Sequence, residues 1–173
     1  GLQLRPRVAT HALLAEEAGF PAGAFQAITC ISVLEHLPEP AAAIRNLWHW
    51  TAEGGRLIVT LPVAAHGVAQ VVSQDPYGVG RPDADGSYFM QYLYDQAMLE
   101  ERFFSSLGRP TATMIYGETT PGALRANLDR KADLSRYPYW AEPTIVAGLL
   151  RPFKSISDLP GEGVCGLEFV KHG

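Results

Sequence analysis

Three polar side chains that could do chemistry follow an apolar segment directly: Ser32, Glu35 and His36 in CISVLEH. Histidine is the side chain best suited to proton transfer near neutral pH, and an adjacent carboxylate can support that transfer. A structural interpretation is the commoner one: Glu35 would cap the following helix, and His36 would bond to a backbone carbonyl. The sequence leaves both interpretations open.

Several other kinds of site are excluded by the spacing of residues. A catalytic serine triad needs its serine on a sharp turn flanked by glycines, and Ser32 has none nearby, so a hydrolase stays a remote interpretation. The histidines show no paired spacing with cysteine or acidic residues, which predicts no metal site. No glycine-rich phosphate pattern follows a strand, and Gly54-Gly55 is predicted to end a helix instead.

The polar residues lie within a predicted strand-helix-strand unit. Residues 26–34 are apolar and β-branched without alternation, which is typical of a strand covered on both faces. Pro40 suits the first turn of a helix, and residues 56–61 read as a second strand, ended by Pro62. The buried stripe of the helix is predicted to contain Ile44, Leu47, Trp48 and Thr51, with Trp50 at its edge. A helical crossover requires the two strands to be parallel.

The remaining segments complete an α/β layered domain. Residues 63–92 are rich in Gly, Pro and Asp and predict a long loop. Asp95 reads as the N-cap of a helix through Leu107, and residues 111–116 and 163–170 read as strands. Residues 8–15 are assigned to a strand, whereas residues 123–150 fit a helix or a loop insertion equally well. Ligands in such sheets sit beyond the carboxyl ends of the strands, here residues 31–36 and 60–65.

Composition narrows the class of protein. The formal net charge is -4, and Lys and Arg are scattered, which argues against a nucleic-acid partner. No apolar run reaches the roughly 18 residues that span a bilayer, so a soluble protein with no membrane partner is expected. Cys30 and Cys165 both fall in predicted strands, where reduced cysteine packs as a small hydrophobe, and this fits the cytoplasm.

Residues 20–62 (FPAGAFQAITCISVLEHLPEPAAAIRNLWHWTAEGGRLIVTLP) closely resemble a segment of the class I S-adenosylmethionine-dependent methyltransferases, the type 11 group. The segment runs from the fourth strand of that family to the fifth, through a Leu-Glu-His-like turn, a helix and a Gly-Gly pair. Gln26 stands where the family usually has Asp, and Glu53 where it has Pro. Leu13 and Leu14 stand roughly where a Gly-Asp pair approaches the adenine.

The resemblance implies a Rossmann-like class I methyltransferase sheet that lacks the N-terminal strands carrying the glycine-rich loop. The chain would supply strands four, five, seven and six, with a remnant of strand three at residues 8–15. We therefore expect one partial domain over residues 1–173, with a loop or lid at 63–92 and an insertion at 123–160. The open, apolar sheet edge would need a cover from missing residues, from a second copy of the chain or from another partner.

The resemblance also implies a function: methyl transfer from S-adenosylmethionine to a small molecule. Ile31, Ser32 and Val33 would border the methionine part of the cofactor, and His36 would face the substrate, as a base. The aromatic segment 88–94 would supply substrate contacts or pack in the core. The alternative is a methyltransferase-like remnant without catalytic activity that serves as an assembly or binding module.

Overall fold

A computed structural model describes residues 9, 11, 14–17, 19–75, 78, 80–131 and 142–173 of the chain. The strands are β1 (Phe25–Ile31), β2 (Thr51–Ala64), β3 (Val68–Val72), β4 (Tyr88–Leu93), β5 (Ala112–Glu118), β6 (Leu150–Phe153) and β7 (Glu162–Val170). The helices are α1 (Ala41–Trp50), α2 (Gln96–Leu99), α3 (Ser105–Leu107), α4 (Ala123–Lys131) and α5 (Glu142–Leu149). A π-helical turn, Glu100–Phe104, joins α2 to α3.

In the described part of the chain, five strands form one sheet in the order β1-β2-β7-β5-β6. The pair β1 and β2 is parallel, whereas β7 runs antiparallel to both β2 and β5. This is the order expected for strands four, five, seven and six of a class I methyltransferase sheet, so the predicted α/β fold class is confirmed. Strand β6 lies within residues 123–160, the predicted insertion, and extends the sheet beside β5.

One face of this sheet carries the hydrophobic core, against which α1 and the helical segment 96–107 pack. The most deeply buried apolar residues are Leu34, Ile44, Leu57, Val59, Leu61, Leu99, Phe103, Leu167 and Phe169. Cys30 and Cys165 are both buried, free thiols in strands, as predicted. No helix in the described ranges is long and apolar enough to cross a membrane.

The opposite face of the sheet is largely exposed. Ile31 in β1 is 54% exposed and Met114 in β5 is 61% exposed, and they share this face with Tyr116 and Val164. The expectation that residues 26–34 form a strand covered on both faces is therefore wrong, because in β1 only Cys30 is buried. β1 and β6 are the edge strands of the described sheet, and the outer edge of β1 is the open edge that was expected.

Helix α1 ends at Trp50, before the Gly54-Gly55 pair that was predicted to end it, and other groups bond the carbonyls at this point. The Thr51 hydroxyl donates to Leu47 O, and Lys171 Nζ donates to Trp48 O and Thr51 O. Gly54 and Gly55 consequently lie inside β2 and do not stop the helix, although Gly54 does have the expected positive φ of 70°. A side chain on Gly55 would meet Ala52 O at 2.8 Å and Gln26 O at 2.9 Å, so this bend needs glycine.

The two tryptophans of α1 exchange the positions predicted for them. Trp50 is buried and stacks edge-on against Phe20, whereas Trp48 is half-buried under the Lys171 ammonium. Burial of Ala43 explains the difference, because it shifts the buried stripe of the helix toward residues 43, 47 and 50.

Residues 63–92 were predicted to be a long loop, but the structure has strands within this range. β2 continues past Pro62 to Ala64, and β3 and β4 form an antiparallel two-stranded sheet. The C-terminal end of β4 is fixed to β2, since Tyr94 N–H donates to Pro62 O and Ala64 N–H donates to Tyr94 O. We call the paired strands β3 and β4, together with Tyr94 that follows β4, the hairpin.

The second half of the chain largely follows the prediction. Asp95 caps the helical segment 96–107 by accepting a hydrogen bond from Met98 N–H at 2.8 Å, and the segment ends before Gly108. The strands predicted at 111–116 and 163–170 are β5 and β7. The insertion contains α4, α5 and β6. The aromatic residues 137–140 and half of the strand predicted at 8–15 lie outside the described residues. The described part of 8–15 is not a strand, and Leu14 begins a turn.

Candidate functional site

The turn after β1 starts at Ser32, whose φ of 50° is the only positive φ of a non-glycine residue in the described ranges. Its N–H is held by Thr60, the last residue paired with β1, through the carbonyl oxygen at 3.3 Å and the Oγ1 atom at 3.2 Å. Left-handed backbone is costly for residues with a side chain, so this anchor fixes an unfavourable conformation. The side chains of Ile31 and Val33, on either side of Ser32, are exposed at the carboxyl end of β1.

The preference of this turn for particular residues can be measured. We expect Ser32→Val to be about 1–2 kcal/mol less stable than Ser32→Gly in urea unfolding, because a β-branched residue resists positive φ. The matched control is Thr29, which is exposed in the extended strand β1, where Val should be more stable than Gly. The same order of stability at both positions would contradict the strained turn.

His36 ends the short 3₁₀ turn Leu34–His36 that follows Ser32. Its Nδ1 atom lies 3.0 Å from the carbonyl oxygen of Met90 in β4. A carbonyl only accepts hydrogen bonds, so Nδ1 must carry the proton and donate it. This contact places the proton-accepting nitrogen of the neutral ring at Nε2.

Glu35 is buried, with 2% of its surface exposed, beside this histidine. Its Oε1 atom lies 3.8 Å from His36 Nε2, whereas its Oε2 atom has no hydrogen-bond partner among the described residues. Burial raises the pKa of the Glu35 carboxyl. A hydrogen bond from its own backbone N–H, the neighbouring His36 charge and a hydrogen bond from the Ser32 side chain oppose that rise. Glu35 does not cap α1, whose N-cap is Pro40 without a side-chain bond, so that part of the structural interpretation is wrong. Its other part, a bond from His36 to a backbone carbonyl, is confirmed by the Met90 contact.

The hairpin closes one side of this site through its aromatic residues. Tyr92 Oη donates to Pro38 O at 2.9 Å, and the Tyr92 ring lies 4.2 Å under the Arg102 guanidinium. Tyr94 is fully buried and donates to Leu34 O at 3.4 Å. Segment 88–94 was predicted either to contact the substrate or to pack in the core, and Tyr94 packs in the core.

The structure therefore brings together the residues predicted from the sequence, with two additions. Ile31, Ser32, Val33 and His36 line the carboxyl end of β1, next to the end of β2. Thr60 was missed as an anchor, although the parallel pairing of the two strands places it opposite Ile31. Met90 was also missed, and no local signal could reveal it, because it contributes a backbone carbonyl from 54 residues away.

Comparisons with known proteins found a matching family model and similar solved structures. A family model described as a methyltransferase domain matches residues 4–105. Among solved structures, the [4+2]-cyclase SpnF is similar with 19% identity and a TM-score of 0.44, over 94% of this chain and 56% of that one. Phosphoethanolamine N-methyltransferase 2 of Haemonchus contortus, in complex with phosphomonomethylethanolamine and S-adenosylhomocysteine, is 15% identical with a TM-score of 0.46.

That second comparison covers 92% of this chain but only 36% of the Haemonchus contortus enzyme, so the chain spans about a third of that enzyme's length. A further structure of the same enzyme, in complex with S-adenosyl-L-methionine, is 14% identical over the same shares, with a TM-score of 0.46. No protein of curated function matches the sequence significantly. The family match spans residues 4–105, more than half of the chain, and on this evidence the protein belongs to the methyltransferase domain family, the class I S-adenosylmethionine-dependent methyltransferases.

Proposed function

We propose that this domain takes part in the transfer of a methyl group from S-adenosylmethionine to a small-molecule acceptor. The cofactor supplies a methyl group that is electrophilic because it is bonded to a positively charged sulfur. Catalysis of such a transfer depends mainly on alignment of the reacting groups and on removal of the proton of the acceptor. The observation that carries the proposal is the strained, Thr60-anchored turn at Ser32.

The residues of this turn fit the methionine side of the cofactor. Ile31 and Val33 present exposed apolar side chains that can contact an aliphatic chain, and Ser32 has an exposed hydroxyl beside them. The family contacts to ribose and adenine have no counterpart in this sequence, which contains no glycine-rich loop after a strand. The chain therefore supplies one part of a pocket.

His36 is assigned to the acceptor side of the same pocket. Its ring is about one-third exposed, and the Met90 carbonyl holds it with Nε2 as the proton-accepting nitrogen. The hairpin that supplies this carbonyl acts as the lid over the acceptor, and its contacts with Pro38 and Leu34 hold it against the turn.

Calorimetric titration of the 173-residue chain with S-adenosylmethionine tests the proposal. We expect measurable binding, weakened about 10-fold by Ile31→Asp, because a charge would replace an apolar contact. Met114→Asp is the matched control, since Met114 is as exposed as Ile31 on the same sheet face but lies on β5. Absence of heat at about 1 mM cofactor would contradict a competent site in this chain.

The second candidate function is a binding or assembly module without catalytic activity. The exposed apolar sheet face and the open edge of β1 favour it, because such surfaces are typical of sites that pair with other chains. Under this alternative the titration gives no heat, whereas light scattering shows self-association that Met114→Asp reduces.

A further inference from the structure

We propose that a cavity between the start of α1 and the π-helical turn binds a small molecule that carries both an anionic group, a carboxylate or a phosphate, and an amine. The cavity has a volume of about 340 Å³, which is enough for a small ligand. It is separate from the turn at Ser32 and from His36, neither of which lines it. The inference therefore goes beyond methyl transfer and does not depend on it.

Two arginines and two glutamates line this cavity: Arg45, Arg102, Glu39 and Glu101. Among the described residues, none of the four forms an ion pair, although charges of both signs surround the same space. A ligand with charge of a single sign would be repelled by two of these side chains. A ligand with one group of each sign is attracted by all four, and this pattern of charges points to such a molecule.

The π-helical turn brings Glu101 and Arg102 to the cavity. Within it the Ser105 N–H donates to Glu100 O, five residues back, a hydrogen-bond pattern that is rare and is found frequently at functional sites. Phe103 in the middle of the turn is fully buried, so the turn is held in the core on one side. The charged side chains on its other side therefore extend from a fixed backbone.

Arg102 is held in place by an aromatic ring. Its guanidinium lies 4.2 Å from the centre of the Tyr92 ring, and Tyr92 Oη in turn donates to Pro38 O at 2.9 Å. A guanidinium that stacks on a ring keeps the N–H groups at its edge free, and these match two oxygens of a carboxylate or a phosphate. Arg102 is therefore the residue that we assign to the anionic group of the ligand.

The start of α1 forms the opposite wall of the cavity. Its first residue, Ala41, and Arg45 one turn later both line the space. The N-cap, Pro40, makes no side-chain hydrogen bond, so this positive end of a ten-residue helix has no capping carboxylate or hydroxyl. It adds to the attraction of Arg45 and Arg102 for an anionic group and leaves the exposed Glu39 and Glu101 carboxylates for the amine.

NMR titration of the chain with 4-aminobutyrate tests the inference, since this probe has a carboxylate and an amine on one short chain. Binding with a Kd of about 1–10 mM should shift the backbone amide signals of Ala41 and Ser105. Butyrate lacks the amine and butylamine lacks the carboxylate, so each should bind at least about 3-fold more weakly. The phosphonate analogue, 3-aminopropylphosphonate, binds more tightly than 4-aminobutyrate if the anionic group is a phosphate, and more weakly if it is a carboxylate.

Substitutions separate the two charges of the site. Arg102→Gln should weaken 4-aminobutyrate binding about 3- to 5-fold, but it also removes the stacking on Tyr92. Glu101→Gln, at an exposed position, is the sharper variant: it should weaken 4-aminobutyrate about 3-fold and strengthen butyrate, because a repelling charge is gone. Arg109→Gln is the matched control, an exposed arginine that does not line the cavity, and it should change neither affinity by more than about 1.5-fold.

Three results overturn the inference. One is the absence of amide shifts at about 50 mM 4-aminobutyrate. Another is equal affinity for 4-aminobutyrate, butyrate and butylamine. The third is tighter binding of 4-aminobutyrate in Glu101→Gln, which would leave a site for simple anions. None of these readouts uses S-adenosylmethionine, so failure here and failure of the calorimetric titration are distinguishable.

Discussion

Glu118→Ala lowers the free energy of unfolding by about 3–5 kcal/mol, because buried backbone donors lose their acceptor. The carboxylate is 1% exposed at the end of β5. Its Oε1 accepts from Gly122 N–H at 3.0 Å and Glu162 N–H at 2.8 Å, and its Oε2 accepts from Leu124 N–H at 2.9 Å. One side chain thus joins β5, the start of α4 and the start of β7. Urea unfolding measures the loss.

Glu118→Gln separates charge from hydrogen bonding. It keeps one acceptor oxygen but places an NH₂ group against a backbone donor, so we expect a loss of about 1–3 kcal/mol. Glu101→Gln, at an exposed position, should change stability by less than about 0.5 kcal/mol. If Glu118→Gln were as harmless as Glu101→Gln, the carboxylate would not be the connection that the geometry indicates.

The same residue gives the fold an acid-sensitive component. Desolvation raises the pKa of Glu118, but its hydrogen bonds from Leu124, Gly122 and Glu162 outweigh this and lower the pKa below the ordinary 4.5. A lowered folded-state pKa stabilises the protein above about pH 4.5 and stops doing so as the pH falls through the folded value. The fall in stability between about pH 5 and 3 should therefore be shallower in Glu118→Gln.

Tyr94→Ala lowers the free energy of unfolding by about 3–5 kcal/mol, since a fully buried ring is removed from the core. The ring packs edge-on against Phe103 with centroids 5.5 Å apart and tilted against Tyr92 at 5.6 Å. Its backbone also ties the end of the hairpin to β2. Thermal and urea unfolding should both show the loss.

Tyr94→Phe is the matched control for this prediction. It keeps the ring but removes the donor to Leu34 O, a bond of 3.4 Å, so we expect a loss of only about 0.5–1.5 kcal/mol. The NMR signals of the His36 ring measure the consequence for the site, because loosening of the hairpin in Tyr94→Ala should weaken the Met90 contact with His36 and so change these signals. Equal losses in the two variants would assign the stability to the hydroxyl and contradict the packing argument.

Prediction from the sequence succeeded where the pattern is local. The β-branched run of β1, Pro40 at the start of α1 and the Asp95 cap each follow from neighbouring residues, and the structure has all three. It failed where distant groups intervene. Lys171 bonds Trp48 O in α1 and Thr51 O just after it from about 120 residues away, where the helix ends, and Gly54-Gly55 bends a strand instead.

The candidate site divides in the same way. The residue types of Ile31, Ser32, Val33 and His36, and their place after a parallel strand, were determined by the sequence alone, because strand, turn and helix signals are short-range. The tertiary structure decided what each of them does. It anchors Ser32 to Thr60, 28 residues on, and His36 to Met90, 54 residues on, and it buries Glu35 beside His36. Backbone carbonyls and burial leave no mark on the local pattern of residues, so only the folded chain reveals such contacts.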